Sequence, residues 1–356
     1  MSEMSAPPFV SIVVPCFNEA TSIEECLDSI LAQDYPSSRI EILIADGEST
    51  DGTRDIIERY AAAHPAARIR VVNNPDRIQA AGCNRAITVS RGDVIIRLDA
   101  HAKYQPDYVR CCVNALMTTG AQIVGGAQRP VWRTPFQHAM AVALESPLAV
   151  GGAAYRDPSR EGFVDTVWLG AFHRNAFENV GLFDPRAVTN EDAELNQRLS
   201  SSGGKVYLSR DIVGYYYPRE NLRALARQYF RYGVGRARTT LKHRRLQTLR
   251  PLAPAALVLG MATLAIAASF HPPTEPLFAA VAALYLGTLL VEAMRLGIRQ
   301  GFALVPDILA ILPTIHFAWG AGFLYGVARY AVRPDWDRVP LRLPRRYAHD
   351  DGHERA

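Results

Sequence analysis

At 356 residues the chain exceeds the usual size of a single domain, so one large domain with an appendage is expected. Its five cysteines, Cys16, Cys26, Cys83, Cys111 and Cys112, have neither metal-type spacing nor a disulfide framework, and read as buried thiols of a reducing compartment. The formal charge of +4 is modest and gathers in one stretch beside an apolar segment, which argues against nucleic acid as a partner.

Residues 1–8 carry neither a basic start nor an apolar core, so they read as a disordered segment and not as a signal peptide. Val10-Ser11-Ile12-Val13-Val14 reads as a buried parallel strand closed by Pro15. Thr21-Ser22-Ile23-Glu24 then forms a capping box for a helix whose apolar positions are Ile23, Cys26, Leu27, Ile30 and Leu31. Strand and helix keep alternating: 40–45 with 52–63, 69–72 with 78–90, and 94–98 with 106–118. Such alternation implies right-handed crossovers and a mostly parallel sheet, with ligands held beyond the carboxyl ends of the strands.

Two polar clusters reach that edge. Asp46 opens the turn Asp46-Gly47-Glu48-Ser49-Thr50-Asp51-Gly52-Thr53, while Asp99 and His101 place two potential metal ligands on one side of the chain. Taken alone, Asp46 and Asp51 serve as turn and cap residues, and His101 as a cap of the next segment.

From 121 to 218 the pattern loosens into short strands and long loops broken at Gly125-Gly126, Gly151-Gly152 and Gly203-Gly204. A helix is expected to begin there with Asn190 as its cap, which sets Glu191 and Asp192 at the positive end of the helix dipole. Tyr215-Tyr216-Tyr217 reads as a strand, and His173 as a solvated or satisfied histidine.

Residues 221–245 alternate Leu222, Leu225, Tyr229 and Phe230 with Arg223, Arg227 and Arg231, the pattern of a helix in a membrane interface. Further bases, among them Arg236, Arg238, Lys242 and Arg250, precede a boundary near Pro251 and suit a cytoplasmic membrane face. Residues 252–270 and 276–294 are each long enough to span a bilayer. The stretch 302–332 is interrupted by Pro306, Asp307, Pro313 and His316. A third full span would export the basic residues Arg333, Arg338, Arg342, Arg345 and Arg346, so a re-entrant or interfacial segment is expected.

In order and spacing, these pieces resemble the family 2 glycosyltransferases over residues 9–218. Val-Ser-Ile-Val-Val-Pro-Cys-Phe-Asn-Glu at 10–19 is similar to that family's first strand and nucleotide loop, Asp46 with Ser49–Thr53 to its second, Asp99-Ala100-His101 to its metal motif, and Glu191-Asp192 to its catalytic helix. The Asp-Ala-His variant and the membrane tail are most similar to the succinoglycan-type exopolysaccharide glucosyltransferases. The chain departs from the family's pattern where Gly47 follows Asp46, where His101 replaces a second Asp, and where Tyr232 ends Gln228-Tyr229-Phe230-Arg231-Tyr232 in place of Trp.

The resemblance implies an α/β GT-A fold at 9–218, followed by a basic interface region at 219–250, membrane or re-entrant helices at 251–332 and a polar tail at 333–356. It implies a UDP-sugar contacted by Pro15, Asn18, Glu19, Asp46, Asp51 and Asp99, and a divalent cofactor, Mn²⁺ or Mg²⁺, on Asp99 and His101. Imidazole in that position shifts preference toward Mn²⁺. Asp192 becomes the general base, with Glu191 beside it, and direct displacement inverts the sugar. Gln228 and Arg231 are candidates for a phosphate, and Trp168 for the acceptor pocket or, equally, the core.

The implied activity is hexose transfer, glucose favoured, to a polyprenyl-linked saccharide in exopolysaccharide biosynthesis. Its expected setting is a bacterial plasma membrane with the catalytic domain in the cytoplasm. The alternatives are a polyprenyl-phosphate glycosyltransferase, a processive polysaccharide synthase, and a non-catalytic nucleotide-sugar-binding membrane protein with a decayed metal site.

Overall fold

The structure, a computed structural model, describes residues 6–246, 249–336 and 343. The bases Arg338, Arg342, Arg345 and Arg346 of the tail, and the first five residues of the amino-terminal segment, lie outside the described residues.

Four strand–helix pairs come first: β1 (Val10–Cys16) with α1 (Ile23–Leu31), β2 (Ile40–Asp46) with α2 (Thr53–Ala63), β3 (Ile69–Asn73) with α3 (Gln79–Val89), and β4 (Val94–Arg97), the last followed by β5 (Ala102–Tyr104) and α4 (Tyr108–Thr119). Then come β6 (Ile123–Gly126), β7 (Gln128–Pro130), α5 (Pro135–Leu144), α6 (Pro147–Val150), β8 (Gly162–Phe163), β9 (Trp168–His173) and α7 (Arg174–Val180). The sheet domain closes with α8 (Glu191–Ser201), β10 (Val206–Leu208) and β11 (Gly214–Tyr216). Four long helices complete the chain: α9 (Leu222–His243), α10 (Leu252–Phe270), α11 (Glu275–Gln300) and α12 (Val305–Val332).

The eight-stranded sheet has the order β3-β2-β1-β4-β9-β6-β10-β8, and a three-stranded sheet, β5-β11-β7, stands beside it. β3, β2, β1 and β4 are mutually parallel, and β9 enters antiparallel between β4 and β6. Every residue of β1, β2 and β4 is buried, as covering both faces of a parallel sheet requires. Strand alternation divides them: Ile12, Val14, Ile42, Ile44 and Ile96 face the layer of α1 and α4, while Val13, Leu43, Ala45 and Ile95 pack with α3, α7 and α8. Full burial of each such side chain contributes about 1.5–3 kcal/mol.

Three local expectations are corrected. Pro15 does not close β1: the strand continues to Cys16, because pairing with β4 has ended at Val13, and a missing N–H is tolerated where one partner is already lost. The expected capping box does not form at α1. The helix begins one residue later than the box requires, with Ser22 as its cap, and the Ser22 hydroxyl donates to the Glu19 carboxylate at 2.8 Å and accepts from no backbone amide of the first turn.

The third correction concerns the basic helix. α9 is one continuous amphipathic helix, yet part of its charge turns inward. Arg238 donates to Asp184 at 2.9 Å and to Asp335 at 2.6 Å, and Lys242 bridges Asp184 and Glu194 at 2.5 and 2.9 Å. His243 and Arg198 also meet Glu194. Along its length α9 lies against α12 with almost no side chain between the backbones. A Cβ on Gly233 would come within 2.2 Å of the Trp319 carbonyl, and one on Gly322 within 2.1 Å of the Phe230 carbonyl.

Burial opposes ionisation of Asp184 and Glu194, but the hydrogen bonds from Arg238, Lys242, His243 and Arg198 prevail and lower both pKa values. A folded-state pKa below the unfolded value stabilises the fold above the unfolded pKa of about 4, and that stabilisation is lost as pH falls below it. The melting temperature of the detergent-solubilised protein is therefore expected to fall between about pH 4 and pH 2. The fall should be smaller for Asp184→Asn, and identical acid profiles for the two proteins would contradict this role.

α10, α11 and α12, with 19, 26 and 28 residues, are each long and apolar enough to cross a membrane. α10 and α11 expose large apolar side chains such as Leu259, Ile266, Leu284 and Val291. α12 differs. It runs as one unbroken helix through Pro313. The hydroxyl of Thr314, next to the proline, bonds the Ala310 carbonyl at 2.7 Å within the same turn. Ile308, Ile311 and Ile315 pack with α5 and α6, the middle of α12 packs on α9, and Asp335 just beyond it meets Arg238 and Arg186.

Candidate active site

β4 ends inside the sheet on Arg97, and the chain leaves it directly as Leu98-Asp99-Ala100-His101. The Leu98 N–H donates to the Val13 carbonyl at 2.9 Å. The buried Tyr104 hydroxyl accepts from the Asp99 N–H at 2.8 Å and donates to the Asp99 carbonyl at 3.0 Å, fixing that backbone from both sides. Asp99 Oδ1 then accepts from Gln79 Nε2 at 3.0 Å and from Arg97 at 3.3 Å.

The Arg97 guanidinium is the hub. It also donates to Asp192 and lies 3.1 Å from Glu191 Oε1, so residues almost a hundred positions apart meet on one buried cation. Burial pushes the pKa values of Glu191 and Asp192 upward, and Arg97 pulls against it.

α8 presents Glu191 and Asp192 from its first turn, but Asn190 does not cap it in the expected way. Asn190 holds a left-handed backbone (φ 62°) and makes no side-chain cap; its amide donates to the Tyr232 carbonyl of α9 at 2.8 Å. The neighbouring Thr189 hydroxyl donates to the Arg231 carbonyl at 2.9 Å. The start of α8 is thus pinned to α9.

The loops after β1 and β2 are laced together. Asn18 N–H donates to Ser49 Oγ, Asn18 Oδ1 accepts from the Thr50 N–H, and Glu19 N–H donates to Thr53 Oγ1, at 2.8–2.9 Å. Asp51 accepts from the Ala20 N–H at 3.1 Å and from Thr53. The side chains of Asn18 and Asp51 therefore shape the double loop. Asp46 is fully buried; one of its oxygens accepts a 3.3 Å bond from Ser49 N–H, and Oδ2 has no hydrogen-bond partner, although Arg54 stands 3.7 Å away.

His101 Nδ1 lies 3.1 Å from Glu19 Oε1. Among the described residues no three His, Cys, Asp or Glu side chains converge on one point. Asp99 and His101 nonetheless fit a divalent ion that completes its shell with phosphate oxygens, and a carboxylate on Nδ1 leaves Nε2 as the ligating atom.

A cavity of about 990 Å³ opens on this edge. Arg97, Asp99, His101, Glu191 and Asp192 line it together with Trp168, Gln228 and Arg231. Pro15, Asn18, Glu19, Asp46 and Asp51 lie outside its lining, on the adjoining rim that the Glu19–His101 contact joins to it. Trp168 is half-buried, with its ring 5.9 Å from that of Tyr216, and Gln228 donates to the Tyr232 hydroxyl at 3.1 Å.

Sequence reasoning missed Arg97, Gln79 and Tyr104. Arg97 left a signal: a charged residue ending the run Val94-Ile95-Ile96 must find partners if the strand is buried. Gln79 and Tyr104 left none.

The family model for glycosyl transferase family 2 matches residues 11–142. The succinoglycan biosynthesis protein ExoA of Rhizobium meliloti is 38% identical over 317 residues, covering 88% of this chain and 93% of that protein. A dolichyl N-acetyl-alpha-D-glucosaminyl phosphate 3-beta-D-2,3-diacetamido-2,3-dideoxy-beta-D-glucuronosyltransferase of Methanococcus voltae is 31% identical over 234 residues, 64% of this chain and 73% of that one. In fold, the chain is similar to a mannosyltransferase of Pyrobaculum calidifontis solved with GDP-mannose and Mn²⁺, with a TM-score of 0.62 at 24% identity over 87% of this chain and 88% of that one.

Proposed function

The chain belongs to the family 2 glycosyltransferases and has their GT-A fold, and from that premise we propose that it transfers a hexose, glucose favoured, from a UDP-sugar to a polyprenyl-linked saccharide in exopolysaccharide biosynthesis. The observation that carries this reading is the convergence of Asp99 and Asp192 on Arg97 at the mouth of one cavity. The likeness to a succinoglycan biosynthesis protein supports the pathway class, and the dolichyl phosphate in the other relative's name supports a lipid-linked acceptor.

Asp192 takes the proton from an acceptor hydroxyl as that oxygen attacks the anomeric carbon. The bond from that carbon to the diphosphate breaks, its electron pair leaves with UDP, and a single displacement inverts the configuration. Arg97 holds Asp192 and Asp99 at a fixed separation. Asp46 Oδ2, which accepts no hydrogen bond, suits the N–H of a uracil, and the laced loop of Asn18 and Asp51 shapes the seat of the base. Asp99 and His101 would hold Mn²⁺ or Mg²⁺, with Glu19 orienting the imidazole; bound there, the ion neutralises charge on the departing diphosphate. Trp168 offers an aromatic face for a sugar.

In this reading α10 and α11 cross a bacterial plasma membrane as a hairpin. α12 lies along its cytoplasmic face, tied to the catalytic domain through Asp335 and Arg238, which keeps the basic residues beyond it inside.

The test uses full-length protein in lipid nanodiscs with radiolabelled UDP-hexoses and a membrane lipid extract. Lipid-extractable label is expected with Mn²⁺ and lost with EDTA. UDP binding without turnover of any donor would favour a non-catalytic sugar-nucleotide binder. A product carrying one sugar on polyprenyl phosphate, or a long polymer, would point to the corresponding alternative enzyme.

A further inference from the structure

Of the arginines that line the cavity without an ion pair among the described residues, Arg219, Arg227, Arg231 and Arg250 are exposed, whereas Arg156 and Arg236 are half-buried. Arg156 ends the short turn Ala154–Arg156, and its Nη1 donates to the Tyr216 hydroxyl at 2.5 Å. Its guanidinium carbon lies 5.4 Å from the Tyr155 ring and 5.5 Å from that of Tyr216, and its buried Nε has no hydrogen-bond partner. Arg236 projects from α9 into the same cavity and makes no hydrogen bond or ion pair among the described residues. Burial lowers its pKa, with Asp165 and Tyr155 near enough to oppose this only in part.

The contrast along α9 is informative. Arg238, two residues on, is saturated by Asp184 and Asp335, so the helix has acids for the arginine it spends internally and none in contact with Arg236, the half-buried one of those it turns to the cavity. A half-buried cation without a counter-charge is unfavourably solvated, and two sharing one cavity point to an anionic ligand. Guanidinium forks match phosphate oxygens.

The remaining wall selects among phosphates. Leu148, Leu257, Ile315 and Trp319 line the cavity, and Leu257, Ile315 and Trp319 belong to helices long and apolar enough to cross a membrane. The cavity thus joins catalytic carboxylates, unpaired arginines and an apolar wall. Resting on the transferase reading above, we propose that Arg156 and Arg236 bind the phosphate or diphosphate of a long-chain lipid acceptor, whose hydrocarbon lies against α10 and α12 and whose sugar reaches Asp192. The nucleotide's diphosphate belongs to the other wall, beside Asp99 and His101.

The experiment measures binding of farnesyl diphosphate, farnesol, inorganic pyrophosphate and UDP to the full-length protein in phosphatidylcholine nanodiscs. Farnesyl diphosphate should bind at least about tenfold more tightly than farnesol or pyrophosphate. Arg156→Gln and Arg236→Gln should each weaken it by about tenfold or more, the effect of one charge-assisted hydrogen bond, and leave UDP affinity unchanged. Arg156→Lys and Arg236→Lys, which keep the charge, should fall between. Unchanged farnesyl diphosphate affinity in both Gln variants would overturn the proposal. So would a matching loss of UDP affinity in folded Lys variants, which would assign the arginines to the donor, or pyrophosphate binding as tight as that of farnesyl diphosphate. Wild-type protein that bound no UDP would instead contradict the transferase reading itself.

Discussion

Asp192→Asn is expected to lower kcat by about 10²–10⁴-fold while leaving UDP affinity within about twofold. Asparagine is nearly isosteric and its carbonyl can still accept from Arg97, so the first turn of α8 keeps its place, with Asn190 and Thr189 still pinned to α9. What disappears is the only function assigned to the carboxylate, acceptance of a proton from the attacking hydroxyl. Burial already raises the Asp192 pKa, which strengthens it as a base, while Arg97 opposes the rise. Glu191→Gln is expected to have the smaller effect on kcat. Initial rates at saturating UDP-sugar, paired with UDP titrations, separate the two quantities. Near-normal turnover of Asp192→Asn would remove the proposed base.

Arg97→Met carries the second large effect. The guanidinium is buried at the end of β4, where it faces the buried Glu191 and the half-buried Asp99 and Asp192. Removing one partner of a buried charge cluster typically costs about 3–5 kcal/mol, because the groups left behind are uncompensated. The variant should therefore melt well below the wild type and lose transfer activity together with donor affinity. Arg97→Lys keeps the positive charge but has one nitrogen where three carboxylates draw on a planar fork, so intermediate stability and low turnover are expected. Thermal unfolding in detergent and initial rates for the three proteins give the order wild type, Lys, Met. A Met variant with wild-type melting temperature and rate would show that Arg97 is not the hub described.

What could be read from the chain followed physical range. The strands of the first half were legible because β-branched runs such as Val10–Val14 must be covered on both faces, and Asp99 and Asp46 could be placed because the carboxyl edge of such a sheet is fixed by topology. Cap chemistry was less legible. Ser22 and Asn190 each have a side chain suited to a helix start, but each was drawn to a partner supplied by the fold, the Glu19 carboxylate and the Tyr232 carbonyl. The basic run of α9 had the composition of a lipid-facing helix, yet its inward half depends on Asp184 and Glu194, some fifty residues away and without periodic signal. The same applies to the contact of α9 with α12, where Gly233 of α9 and Gly322 of α12 permit a backbone approach that no single-helix pattern reveals. Arg97 stands in the same run as Asp99, and only its partners, brought by α8, show its use.

The most direct measurement is the position of UDP and Mn²⁺ in a cryo-electron microscopy structure of the full-length protein in a nanodisc. The diphosphate and metal are expected against Asp99 and His101, the uracil at Asp46, and the Asp192 carboxylate facing the open cavity where the sugar would project. UDP seated elsewhere, or Asp192 turned out of reach of any sugar attached to it, would contradict the account.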